Sequence, residues 1–549
     1  MSKKKGGKKS GQATRAQQQQ QVAAKRHIAT SAARQGGGTA TSQRASEPPA
    51  PRQQRRKARL FLDVSAVRIQ EWLARTPDLR FRRGASALLT EATAAKTWEA
   101  SPPDGMCWND QAGEVAGVVT LYVDDEIPDA DQVAASAAAA RSVAARMREL
   151  MPQCHIQAVA GSGETYADAY PMMEQARHDG GFLLDSPPAP AEVIVAKPCD
   201  QCRSAAATET RIEVVRGEKR NDLCKDCKRR LDAAGWTRAT DPARWPVPEQ
   251  RLKSALDKAG MTIKGFPGTF AEMAESGGER EDNALTQLAL IYADGNRVGA
   301  FLSEAAESSG RVSKTEIAKT IDEAAAGALA DAVVGRFSGQ AFPPVIAHIA
   351  GGDDLLVSVP AADAWVFTRA LLTAFTARIG AYPWPRQLAG RTPTLSAGIV
   401  FHHAKNPFSD VVRLAEEQLK YAKREGRGLQ ATVAFLDMTA DGGQPPAERH
   451  PVTLEYLTQH ASELDQLGDI PTSRIATLLA LYRQGNRADL IRRLTDLENQ
   501  PLWDVIAGKD AGTGQVRKVL NDQPERLEEL RRLLDLARHW TPRPQEAAA

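Results

Sequence analysis

Residues 345–360 read VIAHIAGGDDLLVSVP, and no other stretch restricts the fold of this chain as much. Two apolar runs, 345–350 and 355–359, flank Gly351, Gly352, Asp353 and Asp354. Apolar runs of this length on either side of a glycine pair predict a β-hairpin. The glycines admit a backbone path that other residues resist, and they leave room for a ligand against the main chain. Two adjacent carboxylates at the tip repel each other unless a cation lies between them. A solvated turn uses the same residue types, so the neighbouring sequence has to decide between the two readings.

A second apolar run, LALIYADGNRVGAF at 288–301, leads into Asp294 and breaks at Gly295 and Gly299. A carboxylate ending a buried strand, followed by glycines, suits a metal ligand with backbone N–H groups free for phosphate. The pattern predicts a helix over 315–334, the hairpin, a helix over 361–379 and a strand over 394–401. A helix over 408–424, with Lys423 at its end ahead of Gly426, Arg427 and Gly428, and a strand over 431–436 complete the series. The order βαββαβ with a helix and strand appended is that of a ferredoxin-like palm. In such a palm the first strand adjoins the central hairpin, so Asp294, Asp353 and Asp354 are expected to converge on two divalent cations, Mg²⁺ or Mn²⁺. Such a pair activates a ribose hydroxyl for attack on an α-phosphate and stabilises the departing pyrophosphate. Lys423 could reach the triphosphate, although taken alone it is an ordinary surface lysine.

Upstream, 59–64 and 117–123 predict buried strands, 130–151 a long Ala-rich helix and 154–160 a further strand, an alternation of βαβ type. Asp63, Asp124 and Asp125 lie at strand ends without a glycine-rich hairpin and read as structural carboxylates. The His178-Asp179 dipeptide has no further His or Asp placed to complete a metal-dependent phosphohydrolase site. Of six cysteines, Cys199 and Cys202 form one CxxC and Cys224 and Cys227 another, with 21 residues between the pairs. Two such knuckles fill all four positions of a tetrahedral sulfur site, so they predict a structural Zn²⁺. Lys225, Lys228, Arg229 and Arg230 make the second knuckle basic, either as an RNA contact or as a solvated face.

The net charge of +3 conceals an asymmetry, since residues 1–57 hold 14 Lys or Arg against Glu47 alone, leaving the remainder at about −10. This low-complexity segment buries too little apolar surface to order itself. It reads as a disordered tail that contacts phosphates weakly or simply solubilises the chain. The polar N-terminus without an apolar signal core, and the lack of any membrane-spanning apolar run, lead to a cytoplasmic, non-membrane expectation. The domain plan is therefore a disordered basic tail at 1–57, a first, non-catalytic palm at 58–196 and a zinc ribbon at 197–232. A helical connector at 233–285, a second palm with the GGDD at 286–440 and a separate C-terminal helical bundle at 445–541 follow. The fold class is α/β multidomain, with two ferredoxin-like palms.

The strand with DGN(x)VG, the GGDD hairpin, the SAGIVF strand and the YAKREGRG helix end together resemble the second palm of the Cas-ten family. That family supplies the large subunits of type III CRISPR effector complexes and is distantly similar to GGDEF nucleotide cyclases. The segment DVSAVRIQEWLARTPDLRFRRGASALL is similar to the family's first palm, the CxxC pairs to its zinc insertion and the last helices to its final domain. The resemblance spans about 59–540. It implies synthesis of cyclic oligoadenylates from ATP, switched on when target RNA pairs with guide RNA in a complex with other type III subunits. It further implies Asp294, Asp353 and Asp354 as metal ligands, Gly295, Gly351 and Gly352 as shapers of the nucleotide site, and Lys423 as a phosphate contact. Two departures stand out. The basic tail takes the place of the N-terminal HD nuclease domain of many members, so DNA cleavage is not expected. Asn296 replaces the second carboxylate of the common DGD form. A non-catalytic scaffold in such a complex, or a stand-alone defence cyclase, are the competing expectations.

Overall fold

The computed structural model describes residues 58–540 except 113–116, 188–196, 215–217, 235–244, 276–286, 302–303, 305–313, 385–387, 389–390 and 497–498; the predicted tail at 1–57 lies outside the described residues. A first sheet begins with β1 (Arg59–Val67), followed by helices α1 (Ile69–Ala74), α2 (Leu79–Thr93) and α3 (Ala95–Ala100). Next come β2 (Met106–Trp108), β3 (Val118–Val123), α4 (Gln132–Leu150), β4 (His155–Gly163), α5 (Tyr166–Asp179) and β5 (Leu183–Asp185). The strand order is β2-β3-β1-β4-β5, and every pairing is antiparallel. A simple βαβ alternation leads one to expect parallel neighbours. The three-residue β2 reverses the chain before β3, and it is too short for periodicity to reveal. One face of β1 packs Leu62, Val64 and Ala66 against α2 and α4, while Phe61 on the other face meets Ala169 and Met173 of α5.

A small hairpin of β6 (Glu209–Val214) and β7 (Glu218–Leu223) leads into α6 (Lys225–Ala233), and α7 (Val247–Lys258) and α8 (Phe270–Glu275) follow. The second sheet contains β8 (Gln287–Asn296), then α9 (Lys314–Phe337), β9 (Ile346–Gly351), β10 (Asp354–Pro360), α10 (Ala364–Ala381), β11 (Thr394–His403), α11 (Phe408–Glu425) and β12 (Thr432–Asp437). With the short β13 (Val452–Thr453) its order is β13-β12-β11-β8-β10-β9, so the central β8 lies between β10 and β11. Alternation along β8 sends Ala289, Ile291 and Ala293 toward α9 and α10, and Leu288, Leu290 and Tyr292 toward α11. α11 sits tightly on β11: a Cβ at Gly398 would lie 2.3 Å from the Ala415 carbonyl oxygen.

The C-terminal helices are α12 (Leu454–Gln459), α13 (Ala461–Leu467), α14 (Thr472–Arg483), α15 (Arg487–Asp496), α16 (Gln500–Ala507), α17 (Thr513–Asp522) and α18 (Pro524–Ala537). The sequence leads one to expect a separate bundle here. Instead, the helices share one continuous apolar core with the α9/α10 face of the second sheet. His539 stacks on Phe401 of β11 at 3.8 Å and bonds the Asp437 carboxylate at 2.8 Å. Arg449 bridges Asp441 and Asp535. No helix among the described residues is long and apolar enough to cross a membrane.

Candidate active site in the second palm

The central strand and the hairpin bring the predicted carboxylates together. β10 runs antiparallel to β8 with Leu355 opposite Ala293, so Asp354 and Asp294 follow in register at the same end of the sheet. Asp353 lies against Gly295: a Cβ at that glycine would come within 2.4 Å of Asp353 Oδ2. Gly295 is therefore required by the close approach of a carboxylate, a more specific reason than general looseness of the loop. At the tip, Gly352 takes φ +62°, a left-handed value that favours glycine. Its N–H donates to Asp322 Oδ1 of α9 at 2.6 Å, and the other oxygen of Asp322 is paired with Arg251 of α7. Gly351 faces the same Arg251, whose Nη1 would be 3.4 Å from an added Cβ. Asp322 and Arg251 thus hold the hairpin tip from outside. Sequence reading missed both, because a carboxylate inside a long helix and an arginine in a connector carry no local signal of such a contact.

The end of α11 delivers the cation. Lys423 Nζ is paired with Asp294 and donates to the Gly295 carbonyl at 2.8 Å. It therefore balances one carboxylate of three. Burial first, and then the Asp294 and Asp353 charges, push the Asp354 carboxyl up to about 7. Asp353 is likewise raised, by burial and then by Asp294. Tyr292, beside them on β8, is raised by burial and by the Asp354 and Asp294 charges. Buried carboxylates raised by burial and by one another's charge mark a place that a cation would stabilise. Asn296 is bound elsewhere, its amide reaching Thr394 Oγ1 at 2.9 Å, Ser396 Oγ at 3.0 Å and the Gln430 carbonyl at 3.1 Å.

The cysteines form a second cluster. The Sγ atoms of Cys199, Cys202, Cys224 and Cys227 all lie within 4.8 Å of one another, a donor set that could hold a metal ion. Cys224 caps α6 and accepts from the Cys227 N–H at 3.5 Å. Arg230, counted in sequence with the basic knuckle, is fully buried and bonds Asp226 Oδ2 at 2.8 Å and the Trp72 carbonyl at 2.6 Å. It is a structural pair and adds nothing to a basic surface. The three carboxylates of the palm are more loosely grouped than these thiols, since among the described residues only the cysteines meet the 4.8 Å separation.

The first sheet has no such arrangement. Asp63 is buried and accepts from Tyr166 Oη at 3.0 Å and Arg177 Nη2 at 3.0 Å. Asp125 is paired with Arg59, and His178 and Asp179 lie exposed at the end of α5.

Residues 287–430 match the family model described as Cas10/Cmr2, second palm domain. This part of the chain is similar to the second palm of Cas10 proteins. The matched segment runs from β8 through α11 and includes Asp294, the GGDD tip and Lys423. No curated protein matches the sequence. Among solved structures, a Csm1-Csm4 cassette in complex with cA4 aligns at TM-score 0.49 and 14% identity, covering 89% of this chain and 71% of the other. A Csm1-Csm4 cassette in complex with AMPPNP gives TM-score 0.49 and 13% identity over 88% and 70%. Csm1 in T. onnurineus gives TM-score 0.49 and 14% identity over 89% and 70%. These likenesses are too remote to weigh on function.

Proposed function

We propose that this chain is a Cas10-family, metal-dependent nucleotidyltransferase that converts ATP to cyclic oligoadenylates within an RNA-guided type III CRISPR complex. The observation that carries the reading is the convergence of Asp294, Asp353 and Asp354 at one end of β8 and β10 with Lys423 as their single cation among the described contacts. The donor set suits Mg²⁺ or Mn²⁺: hard oxygen ligands, excess negative charge and a glycine-lined tip. When bound, such ions activate a ribose hydroxyl and stabilise charge on the phosphates under attack.

The chain's own residues supply the rest. Asp353 and Asp354, raised by burial and by the Asp294 charge, would hold the cation with Asp294. Gly295 and Gly352 keep side chains away from the phosphates. Lys423, paired with Asp294 and the Gly295 carbonyl, would be within reach to bind a phosphate oxygen of the nucleotide. Asp322 and Arg251 fix the hairpin that carries two of the three ligands. The cysteine cluster holds a structural Zn²⁺, which elemental analysis would find at about one per chain.

The test is incubation of the purified protein, or its complex with guide and target RNA, with ATP and Mg²⁺ or Mn²⁺, with products read by mass spectrometry. Cyclic adenylates formed by the wild type support the reading. No product from any of the four nucleoside triphosphates, with cognate guide and target RNA present, leaves the scaffold role instead.

A further inference from the structure

Helix α2 of the first sheet meets strand β9, which runs into the GGDD tip, across a small cavity. Its volume is ≈20 Å³, and Leu79, Arg82, Arg83, Ile346, Ala347 and His348 are among its lining residues. This is the room open to the centre of a water-sized particle, so the space itself is larger. The cavity therefore has room for a monatomic ion.

The charge around it is one-sided. Arg83 is neutralised by Glu249, at 2.5 Å, and also donates to the Pro267 carbonyl at 2.9 Å. Arg230, close enough to repel Arg82, is neutralised by Asp226. His348 bonds Ser358 Oγ at 2.8 Å and is kept neutral by burial and by the Arg82 and Arg83 charges. Arg82 alone has no counter-charge among the described residues. It is 5% exposed, its Nε and Nη1 are buried without a hydrogen-bond partner, and its guanidinium lies 3.6 Å from the centre of the Phe408 ring. An arginine does not shed its proton to escape burial. The ring face offsets only part of the desolvation, and unpaired buried donors are strongly unfavourable.

We infer that this cavity binds a small inorganic anion of the halide class, seated on Arg82 and clasping α2 of the first palm to the strand that ends at Gly351. The inference does not depend on the enzymatic reading.

The experiment uses chloride and bromide as probes on the full chain. Melting temperature is followed as sodium chloride or bromide replaces sodium gluconate at fixed ionic strength, for wild type, Arg82→Met and Arg82→Lys. The wild type should gain several degrees and reach a plateau. Arg82→Met should be insensitive to halide and at least as stable as the wild type in gluconate, because it removes the unpaired charge. If Arg82→Met does not fold, crystals of the wild type in bromide decide: an anomalous peak in the cavity within hydrogen-bond reach of Arg82 is expected. A halide response that is equal in wild type and variants, or a cavity holding only water in bromide, overturns the inference. A bromide peak without any effect on melting marks an adventitious ion only and overturns it as well.

Discussion

In the first sheet the central strand β1 carries Asp63, which Tyr166 and Arg177 bond; in the second, β8 carries Asp294, whose lysine also partly offsets the raised pKa of two more carboxylates. The inner four strands correspond, with β1 and β8 each flanked by the second strand of the hairpin and by the strand after the helix that follows it; beyond them β4–β5 is antiparallel where β11–β12 is parallel. The chemistry at the hairpin end does not correspond. Where β8 meets its hairpin, Leu355 pairs with Ala293 and the next positions are Asp354 and Asp294. Where β1 meets its own, Val118 pairs with Ser65 and the next positions are Gly117 and Ala66, joined by a 2.8 Å bond from the Ala66 N–H to the Gly117 carbonyl. One fold thus holds a charge-satisfied aspartate in one copy and a charge-deficient triad in the other. Function has to be argued from the tip of the hairpin, because the sheet is common to both.

The comparison breaks most easily at the triad. Asp353→Ala/Asp354→Ala should abolish product formation by on the order of 10³-fold or more, since several kcal/mol of transition-state charge stabilisation go with the cations. Turnover measured at saturating ATP, beside a melting curve showing an intact fold, checks this. Gly295→Ala forces a methyl into the space of the Asp353 carboxylate and should cost roughly 10²-fold in turnover, the scale of a misplacement of about 1 Å. Metal affinity measured by titration should fall with it.

The second palm should also be the acid-labile one. His402 is buried, and burial holds its pKa down to about 4 from the ordinary 6.5. In the folded chain it stays neutral while the unfolded chain takes up a proton. Its contribution is therefore present above pH 6.5 and is lost as pH falls toward 4, by about 3 kcal/mol at 1.36 kcal/mol per unit. Denaturant midpoints at several pH values should show that His402→Leu flattens this fall. The corresponding apolar face of the first sheet, built on Phe61, Val159, Ala169 and Met173, offers no buried histidine among the described residues. The smallest effect is expected at Asp63→Asn. It should leave turnover within about twofold and lower stability by roughly 1–3 kcal/mol, because Arg177 loses one of its two carboxylate partners and keeps only Glu174.

Much of the second palm was legible in sequence because its signals are local. A buried run ends in Asp294, a glycine pair breaks two apolar runs, and an amphipathic helix ends in Lys423, each within a single element. What escaped was non-local. The support of Gly352 by Asp322 joins residues 30 apart in sequence, and the burial of Arg230 depends on Trp72, 158 residues away. The three-residue β2 has no period to read. The docking of the last helices on β11 rests on the His539 ring over Phe401, which no pattern within either element announces.

The most direct measurement is a crystal structure of the chain with Mn²⁺ and a non-hydrolysable ATP analogue, with manganese located by anomalous scattering. Peaks bounded by Asp294, Asp353 and Asp354, with Lys423 turned to the phosphates and no peak at Asp63, are the predicted result. Manganese absent from the triad while the analogue is bound elsewhere, or bound at Asp63 in place of Arg177, would contradict the account.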